Sequence, residues 1–214
     1  SQRDNVEYQK VAPIKVFDNL YYVGPAFVSV WLIPTSDGLV LIDAAQEPYV
    51  DHVVDSIRKA GFDPRDIRFI LITHGHLDHF GGAAKIQALS GARVGMLEED
   101  WQLVEAAGNN ANRPPGPGLK RDLVIKEGEG ILAGKTLLKV YKLPGHTPGS
   151  ASFEFTVYDA GRPHKAFVFG GPGQRNGVEG GTQFLSSIER LEREFSDVEV
   201  PVHVHSWLAT YPYP

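Results

Sequence analysis

The chain has 214 residues, enough to bury a substantial core without cross-links. It contains 21 Lys and Arg residues and 26 Asp and Glu residues, so its formal net charge is -5, and it has neither a basic stripe nor a long apolar run. Nucleic acid and membranes are therefore not expected as partners. The absence of Cys excludes disulfides, thiolate nucleophiles and sulfur ligands, so nitrogen and oxygen must hold any bound metal.

The first part of the chain predicts strands and then a helix. Residues 14–23 are rich in β-branched and aromatic side chains, and 28–33 and 39–42 flank a polar turn, which is typical of a strand followed by a hairpin. In 48–60, Val and Ile recur at helical spacing. Gly61 follows this segment, where a glycine commonly ends a helix, so we predict a helix there.

Strand and helix alternate in the middle of the chain. Residues 68–73 are almost wholly apolar, as expected of a strand that is covered on both faces. A helix at 82–89, a strand at 92–96 and a helix at 98–107 are predicted to follow. The segment 109–119 is rich in Asn, Pro and Gly, which indicates a surface loop of the length that often borders a site.

The last part of the chain predicts further strands and a long helix. Extended segments are expected at 136–143, 150–158 and 166–169, with a helix at 182–195 and a last strand at 198–202. No internal sequence repeat is present, but strands and helices occur in both halves in a similar order. We expect a single α/β domain over residues 1–214.

Three of the eight histidines and one aspartate are crowded into His74-Gly75-His76-Leu77-Asp78-His79. His74 and His76 are two residues apart at a strand end, so they can face one side and share a metal ion. Asp78 and His79 are adjacent, so a turn must bring their side chains to a second point close by. Protonated histidines this close would repel one another, and they would add little core packing. The cluster therefore predicts two neighbouring metal points, that is, two adjacent positions that can each hold one metal ion.

Each metal point needs a further ligand from elsewhere in the chain, because a catalytic zinc usually takes three protein ligands and leaves one position for water. For the first point the candidate is His146, in a loop of prolines and glycines that could also be simply a stiff turn. For the second point we favour His205 at the end of the last strand, with His203 as the alternative. Asp43, which closes the hairpin, is expected to orient a ligand histidine rather than bind metal.

The segment from His74 to His79 resembles the His-x-His-x-Asp-His signature of the metallo-β-lactamase superfamily. Asp43 and the loop around His146 fall where that superfamily has its other recurrent segments. The resemblance covers about 14–205, and within the superfamily the chain is most similar to the third subclass (class B, subclass 3) of metallo-β-lactamases. It implies an α/β (α+β) fold, a four-layer αββα sandwich of two mixed β-sheets flanked by helices, with the site at one edge.

The same resemblance implies a zinc-dependent hydrolase with two zinc ions per chain. The first zinc would be bound by His74, His76 and His146, and the second by Asp78, His79 and a histidine after the last strand. Asp78 is the predicted catalytic residue, because it would also orient the zinc-bound hydroxide that opens a β-lactam amide in a small-molecule substrate. The resemblance and the non-Met start lead us to expect a periplasmic or secreted protein that confers antibiotic resistance.

Two departures from the family pattern leave the substrate open. Many members carry an aspartate that bridges both metals where this chain has Gly170 and Gly171. The third subclass usually places serines nearby to hold the substrate carboxylate, whereas this chain offers Pro172, Gln174, Arg175 and Asn176. The alternatives to a β-lactamase are a hydrolase of another ester, lactone or thioester, and a zinc-binding protein with little catalysis.

Overall fold

Two mixed β-sheets pack face to face in the computed structural model, which describes residues 5–108, 118–175 and 177–205. Helices cover both outer faces, so the αββα sandwich implied by the resemblance is confirmed. Most of the predicted loop at 109–119, namely 109–117, lies outside the described residues, as does Asn176. No helix in the described part of the chain is long and apolar enough to cross a membrane.

The first sheet has seven strands within the described residues, and their spatial order follows the sequence. They are β1 (Ile14–Phe17), β2 (Leu20–Tyr22), β3 (Trp31–Thr35), β4 (Gly38–Ile42), β5 (Ile67–Leu71), β6 (Arg93–Leu97) and β7 (Leu123–Ile125). Strands β1 to β4 are antiparallel neighbours, and β4 to β7 are parallel. The second sheet has the order β12-β11-β10-β9-β8, in which only β11 and β12 are parallel. Its strands are β8 (Gly130–Ala133), β9 (Thr136–Lys142), β10 (Ala151–Asp159), β11 (Arg162–Phe169) and β12 (Val200–His203).

Helices connect the parallel strands, because a parallel pair needs a crossover rather than a tight turn. Helix α2 joins β4 to β5, α3 and α4 join β5 to β6, α5 lies between β6 and β7, and α6 joins β11 to β12. The helices of the described residues are α1 (Val6–Gln9), α2 (Val50–Lys59), α3 (Leu77–Phe80), α4 (Ala83–Ser90), α5 (Glu98–Gly108) and α6 (Gly177–Glu194).

Strand β4 contributes side chains to two apolar cores, one on each face of the first sheet. Leu39 and Leu41 face the helices, whereas Val40 and Ile42 face the second sheet, as the alternation of side chains along a strand requires. All four side chains are buried, which explains why the strand sequence is almost continuously apolar. Three apolar cores result, one between the sheets and one under each helical layer.

The predicted elements occur in the predicted order, and the structure adds the short helix α1 and shifts several element boundaries by a few residues. Three other differences are larger. The single strand expected over 14–23 is wrong, because a turn at Asp18 and Asn19 divides it into the antiparallel pair β1 and β2. Strands β7 and β8 were not predicted, since three or four residues are too few to show a period. Helix α6 begins at Gly177, before the predicted start at 182, although its first turns contain glycines of low helix propensity.

Candidate metal centre

The site residues follow the carboxyl ends of strands that meet at one edge of the sandwich. Asp43 follows β4, His74 follows β5 and His205 follows β12, while His146 lies in the loop between β9 and β10. After His76, whose backbone is extended, the chain turns at once into the short helix α3. The amide of His79 donates to the carbonyl of His76 at 2.9 Å. Residues 73–76 form bends rather than a continued strand, so a loop and the short helix that follows it present the two halves of the motif to different points.

The first ligand group consists of His74, His76 and His146, each of which offers one ligand atom within 4.8 Å of the others. Nδ1 of His74 lies 2.8 Å from the carbonyl oxygen of Gly170, and Nδ1 of His146 lies 3.1 Å from that of Gly173. A carbonyl only accepts, so Nδ1 carries the proton in both rings and Nε2 keeps its lone pair. Nδ1 of His76 and Nε2 of His146 are 3.1 Å apart. Two nitrogens on one tetrahedral zinc are separated by about 3.3 Å, which this distance approaches.

The second ligand group consists of Asp78, His79 and His205, whose ligand atoms also lie within 4.8 Å of one another. The rings of His79 and His205 have centroids 4.9 Å apart and are nearly perpendicular. The two groups adjoin, since the centroids of His74 and His79 are separated by 3.9 Å. His203 is not part of this group, and its side chain is exposed. The structure thus places His205, and not His203, with Asp78 and His79.

Two buried nitrogens test whether these residues fit a metal. Nε2 of His74 and Nε2 of His79 are both buried without a hydrogen-bond partner among the described residues. Nε2 of His52 and Nε2 of His164 are also buried without a partner among the described residues, but the rings of His74 and His79 adjoin, with centroids 3.9 Å apart. Buried imidazole nitrogens are normally satisfied, so this adjoining pair needs an explanation. Nitrogen and carboxylate oxygen are donors that zinc accepts, and a cation would satisfy both. The residues present therefore fit a zinc centre.

Electrostatics keep the first group in the form that binds metal. Burial, reinforced by the neighbouring histidines, lowers the pKa of His74 well below its usual value. Burial and the charge of Arg175 lower the pKa of His76. Burial, with His76 and Arg175 adding to the effect, lowers the pKa of His146 to about 4. These imidazoles are therefore neutral near pH 7, and only neutral imidazole offers the lone pair that a metal needs.

Asp43 lies behind His79, at the end of β4. Its side chain is fully buried, and its φ of 61° lies in the left-handed region. The carboxylate accepts hydrogen bonds from the amide of Thr73 and the hydroxyl of Thr73, each at 2.8 Å. The same carboxylate accepts a bond from Nδ1 of His79 at 2.7 Å. Asp43 therefore fixes the tautomer of His79 and directs its Nε2 toward the second ligand group.

A second buried aspartate, Asp100 in the first turn of α5, was not identified from the sequence. Its Oδ2 accepts from the amide of Gly75 at 2.6 Å and the hydroxyl of Thr147 at 2.7 Å, and its Oδ1 accepts from the amide of Gly149 at 2.8 Å. Three acidic residues begin the helix, so Asp100 looks like one more favourable charge at a helix N-terminus. The available signal is its spacing: Asp100 is four residues before buried Val104, on the apolar face.

The two glycines after β11 leave no room for side chains. A Cβ on Gly170 would lie 1.7 Å from the carbonyl oxygen of Ala151, and one on Gly171 would lie 2.6 Å from Oγ of Ser150. A carboxylate from either position would therefore require the backbone or a packed side chain to shift. Gly170 instead contributes its carbonyl, which holds His74. Beyond the glycines, Gln174 and Arg175 are exposed, and Arg175 donates its amide to the carbonyl of Gly145 at 3.0 Å.

Comparisons with known proteins show which family the chain resembles. A model of the metallo-beta-lactamase superfamily matches residues 23–159. Among solved structures, BJP-1, a subclass B3 metallo-beta-lactamase of Bradyrhizobium japonicum, is similar with a TM-score of 0.84 and 31% identity, over 96% of this chain and 81% of that chain. A curated relative, YobT of Bacillus subtilis (strain 168), is 28% identical over 156 residues, which are 69% of this chain and 63% of that protein.

A hydroxyacylglutathione hydrolase of Shewanella baltica (strain OS223) is 28% identical over 194 residues, which are 89% of this chain and 63% of that enzyme. The chain thus spans less than two thirds of the length of these curated relatives. The superfamily model covers more than half of the chain, and the likeness to the subclass B3 structure extends over nearly all of it. The chain belongs to the metallo-beta-lactamase superfamily.

Proposed function

We propose that this chain is a two-zinc hydrolase that opens the amide of a β-lactam. The observation that carries the proposal is the pair of adjoining ligand groups, with two orphaned imidazole nitrogens buried where the groups meet. His74, His76 and His146 would hold the first zinc, and Asp78, His79 and His205 the second. When bound, the zinc ions supply a Lewis acid and a water of lowered pKa.

The chain's own residues would position the reactants. The side chain of Asp78 is 19% exposed, whereas that of His79 is fully buried, so Asp78 reaches toward the open side of the site. There it would orient the attacking water as well as bind metal, as predicted from the resemblance. Asp43, which holds His79, would keep the second ligand group in place during the reaction.

Arg175 supports an anionic substrate. It is exposed, and its charge acts on both His76 and His146, so it stands beside the first ligand group. A guanidinium pairs well with a carboxylate, and β-lactam antibiotics carry a carboxylate next to the ring. Arg175 would thus do the work that serines do in most subclass B3 enzymes. The strong structural likeness to BJP-1 also favours this substrate class.

A thioester is the second candidate substrate, because curated relatives include hydroxyacylglutathione hydrolases. Against it, Gly170 and Gly171 exclude the bridging carboxylate that those enzymes carry. A periplasmic or secreted location, where a β-lactamase meets its substrate and gives antibiotic resistance, is part of the first proposal.

The test combines metal analysis with a substrate panel on the zinc-loaded protein. We expect about two zinc ions per chain and turnover of a chromogenic cephalosporin. Turnover only of an acyl lactone or a hydroxyacyl thioester of glutathione would replace the β-lactam with that class. Stoichiometric zinc without turnover of any substrate would make the chain a metal-binding protein, and full activity without metal would end the zinc proposal.

A further inference from the structure

Asp100 joins the two loops that carry the first ligand group. Gly75, whose amide it accepts, lies between the ligands His74 and His76 in the loop after β5. Thr147 and Gly149, its other partners, follow His146 in the loop between β9 and β10. One carboxylate therefore ties together loops that are about 70 residues apart in sequence, and it contacts the residues next to all three ligands.

The close approach of Asp100 to both loops depends on glycine. A Cβ on Gly149 would lie 2.7 Å from Oδ1 of Asp100, and a Cβ on Gly75 would lie 3.2 Å from its carbonyl oxygen. Both glycines lack a positive φ, so neither is needed for its backbone conformation. Their role is to let the carboxylate and helix α5 reach the loop backbones.

Asp100 holds the loops strongly because its carboxylate is fully buried and both of its oxygens accept hydrogen bonds. Asp100 has 0% exposure, and all three of its partners are donors. Hydrogen bonds to a buried charged acceptor are stronger than neutral ones, and breaking them leaves an unsatisfied charge. The loops are therefore held at a fixed separation, including the 3.1 Å between Nδ1 of His76 and Nε2 of His146.

The two buried aspartates have different targets. Asp43 holds His79 of the second group directly and also accepts from Thr73, which precedes His74, whereas the carboxylate of Asp100 accepts from residues that flank the first group and from none of the second. We propose that Asp100 is a positioning residue. By fixing the separation of the two loops, it sets the affinity for zinc at the first metal point without contacting the metal. This inference rests on the two-zinc assignment proposed above.

The experiment measures zinc affinity in proteins that retain one metal point each. Asp78→Ala leaves the first point and His146→Ala leaves the second, and competition with a chromophoric chelator gives each dissociation constant. Asp100→Asn is then added to each protein. Asn has the shape of Asp, but its NH2 group cannot accept a hydrogen bond. In either orientation the NH2 faces a backbone amide, that of Gly75 or that of Gly149, so one of these hydrogen bonds is lost.

We expect Asp100→Asn to weaken zinc binding about 10- to 100-fold at the first point and by less than about threefold at the second. Equal weakening at both points would overturn the inference, because it would mean a general loss of structure, and so would no change at the first. Asp43→Asn should weaken zinc binding at the second point, because its carboxylate holds Nδ1 of His79. Glu105→Gln, an exposed carboxylate on the same helix that pairs with Arg121, should change neither affinity.

A milder variant keeps the inference testable if Asp100→Asn does not fold. Thr147→Val removes one donor and keeps the side-chain shape, so it should weaken the first point by several-fold, and Thr147→Ser should restore it. Failure of both Thr147→Val and a folded Asp100→Asn to change the first point would refute the positioning role. If the single-point proteins do not each bind one zinc, the two-zinc assignment itself fails, which is a different result.

Discussion

Nδ1 of His79 lies 2.7 Å from Oδ2 of Asp43, and both side chains are fully buried. The carboxylate also accepts two hydrogen bonds from Thr73, the residue just before His74. Asp43 therefore connects the end of β4 to both halves of the histidine motif. Because the aspartate holds Nδ1, the orphaned Nε2 of His79 is turned toward Asp78 and His205.

Asp43→Asn tests this connection. The amide oxygen can accept from only one side, so its NH2 must face either Nδ1–H of His79 or the donors of Thr73. An unsatisfied buried donor costs roughly 1–3 kcal/mol, so we expect the metal-free protein to lose about 2 kcal/mol of unfolding free energy in a urea titration. Zinc affinity at the second point should also fall. Unchanged stability and unchanged affinity would contradict the role of Asp43.

His205 and His203 provide a matched pair for the last ligand. His205 lies with Asp78 and His79, whereas His203 is exposed and its carbonyl accepts a bond from Nε1 of Trp31 at 2.8 Å. We expect His205→Ala to lower the zinc content from about two to about one per chain and to reduce kcat at least about tenfold. His203→Ala keeps the backbone carbonyl and should leave both values unchanged. The reverse pattern would assign the ligand to His203.

His52 on α2 is one of the buried histidines that should make the metal-free protein less stable in acid. Burial lowers the pKa of this histidine below its usual 6.5, and its Nε2 is buried with no hydrogen-bond partner among the described residues. Below pH 6.5 the unfolded chain takes up a proton that the folded chain refuses, so the free energy of unfolding decreases as pH falls from 6.5 toward the lower, folded-state pKa. One group changes it by at most about 1.4 kcal/mol per pH unit.

The variant His52→Gln isolates this contribution. Glutamine can still donate to the carbonyl of Gly24, the bond that holds His52, but it does not titrate. Urea unfolding of both metal-free proteins at pH 7.5, 6.5 and 5.5 should show a shallower decline for the variant. Parallel curves for the two proteins would mean that His52 takes up its proton equally well in the folded state.

The two groups of candidate ligands were predicted from local features of the sequence. The crowding of His74, His76, Asp78 and His79 into six residues is a property of the chain over a few residues, and so is the glycine-rich loop around His146. The fold followed from the same kind of pattern, since 68–73 and 39–42 are apolar enough to be covered on both sides. The resemblance supplied the pairing of these segments.

Asp100 could not be assigned in this way, because its partners are defined only by the packing of α5 against two loops. In the sequence it is one of three acidic residues at a helix start. Likewise, the sequence shows only that Gly170 and Gly171 stand where many family members carry a bridging aspartate. Only the position of Ala151, on the neighbouring strand, shows that no side chain fits there.

Gly170→Ala should therefore be severely destabilising. The added Cβ would meet a backbone carbonyl 1.7 Å away, which no rotamer can avoid, so β10 or β11 must shift and the bond to His74 must break. We expect a loss of more than about 3 kcal/mol, or failure to fold, measured by thermal or urea unfolding. The matched change is Gly181→Ala in α6, where nothing lies within 4 Å. It should stabilise the protein by up to about 1 kcal/mol.

Arg175→Gln separates recognition of the substrate from the reaction. The residue is exposed and is proposed to pair with the substrate carboxylate, so losing its charge should weaken binding and leave the metal ligands intact. We expect KM for a cephalosporin carboxylate to rise about tenfold while kcat changes by less than about threefold, since an exposed or partly buried charge pair contributes on the order of 1 kcal/mol.

A substrate without the carboxylate provides the decisive comparison for Arg175. For the methyl ester of the same cephalosporin, the wild-type protein and Arg175→Gln should have equal KM values, because neither can form the ion pair. Arg175→Lys should give an intermediate KM for the acid, since a lysine keeps the charge but not the planar pair of donors. An equal rise in KM for acid and ester would show that Arg175 shapes the loop after β11 instead of binding the carboxylate.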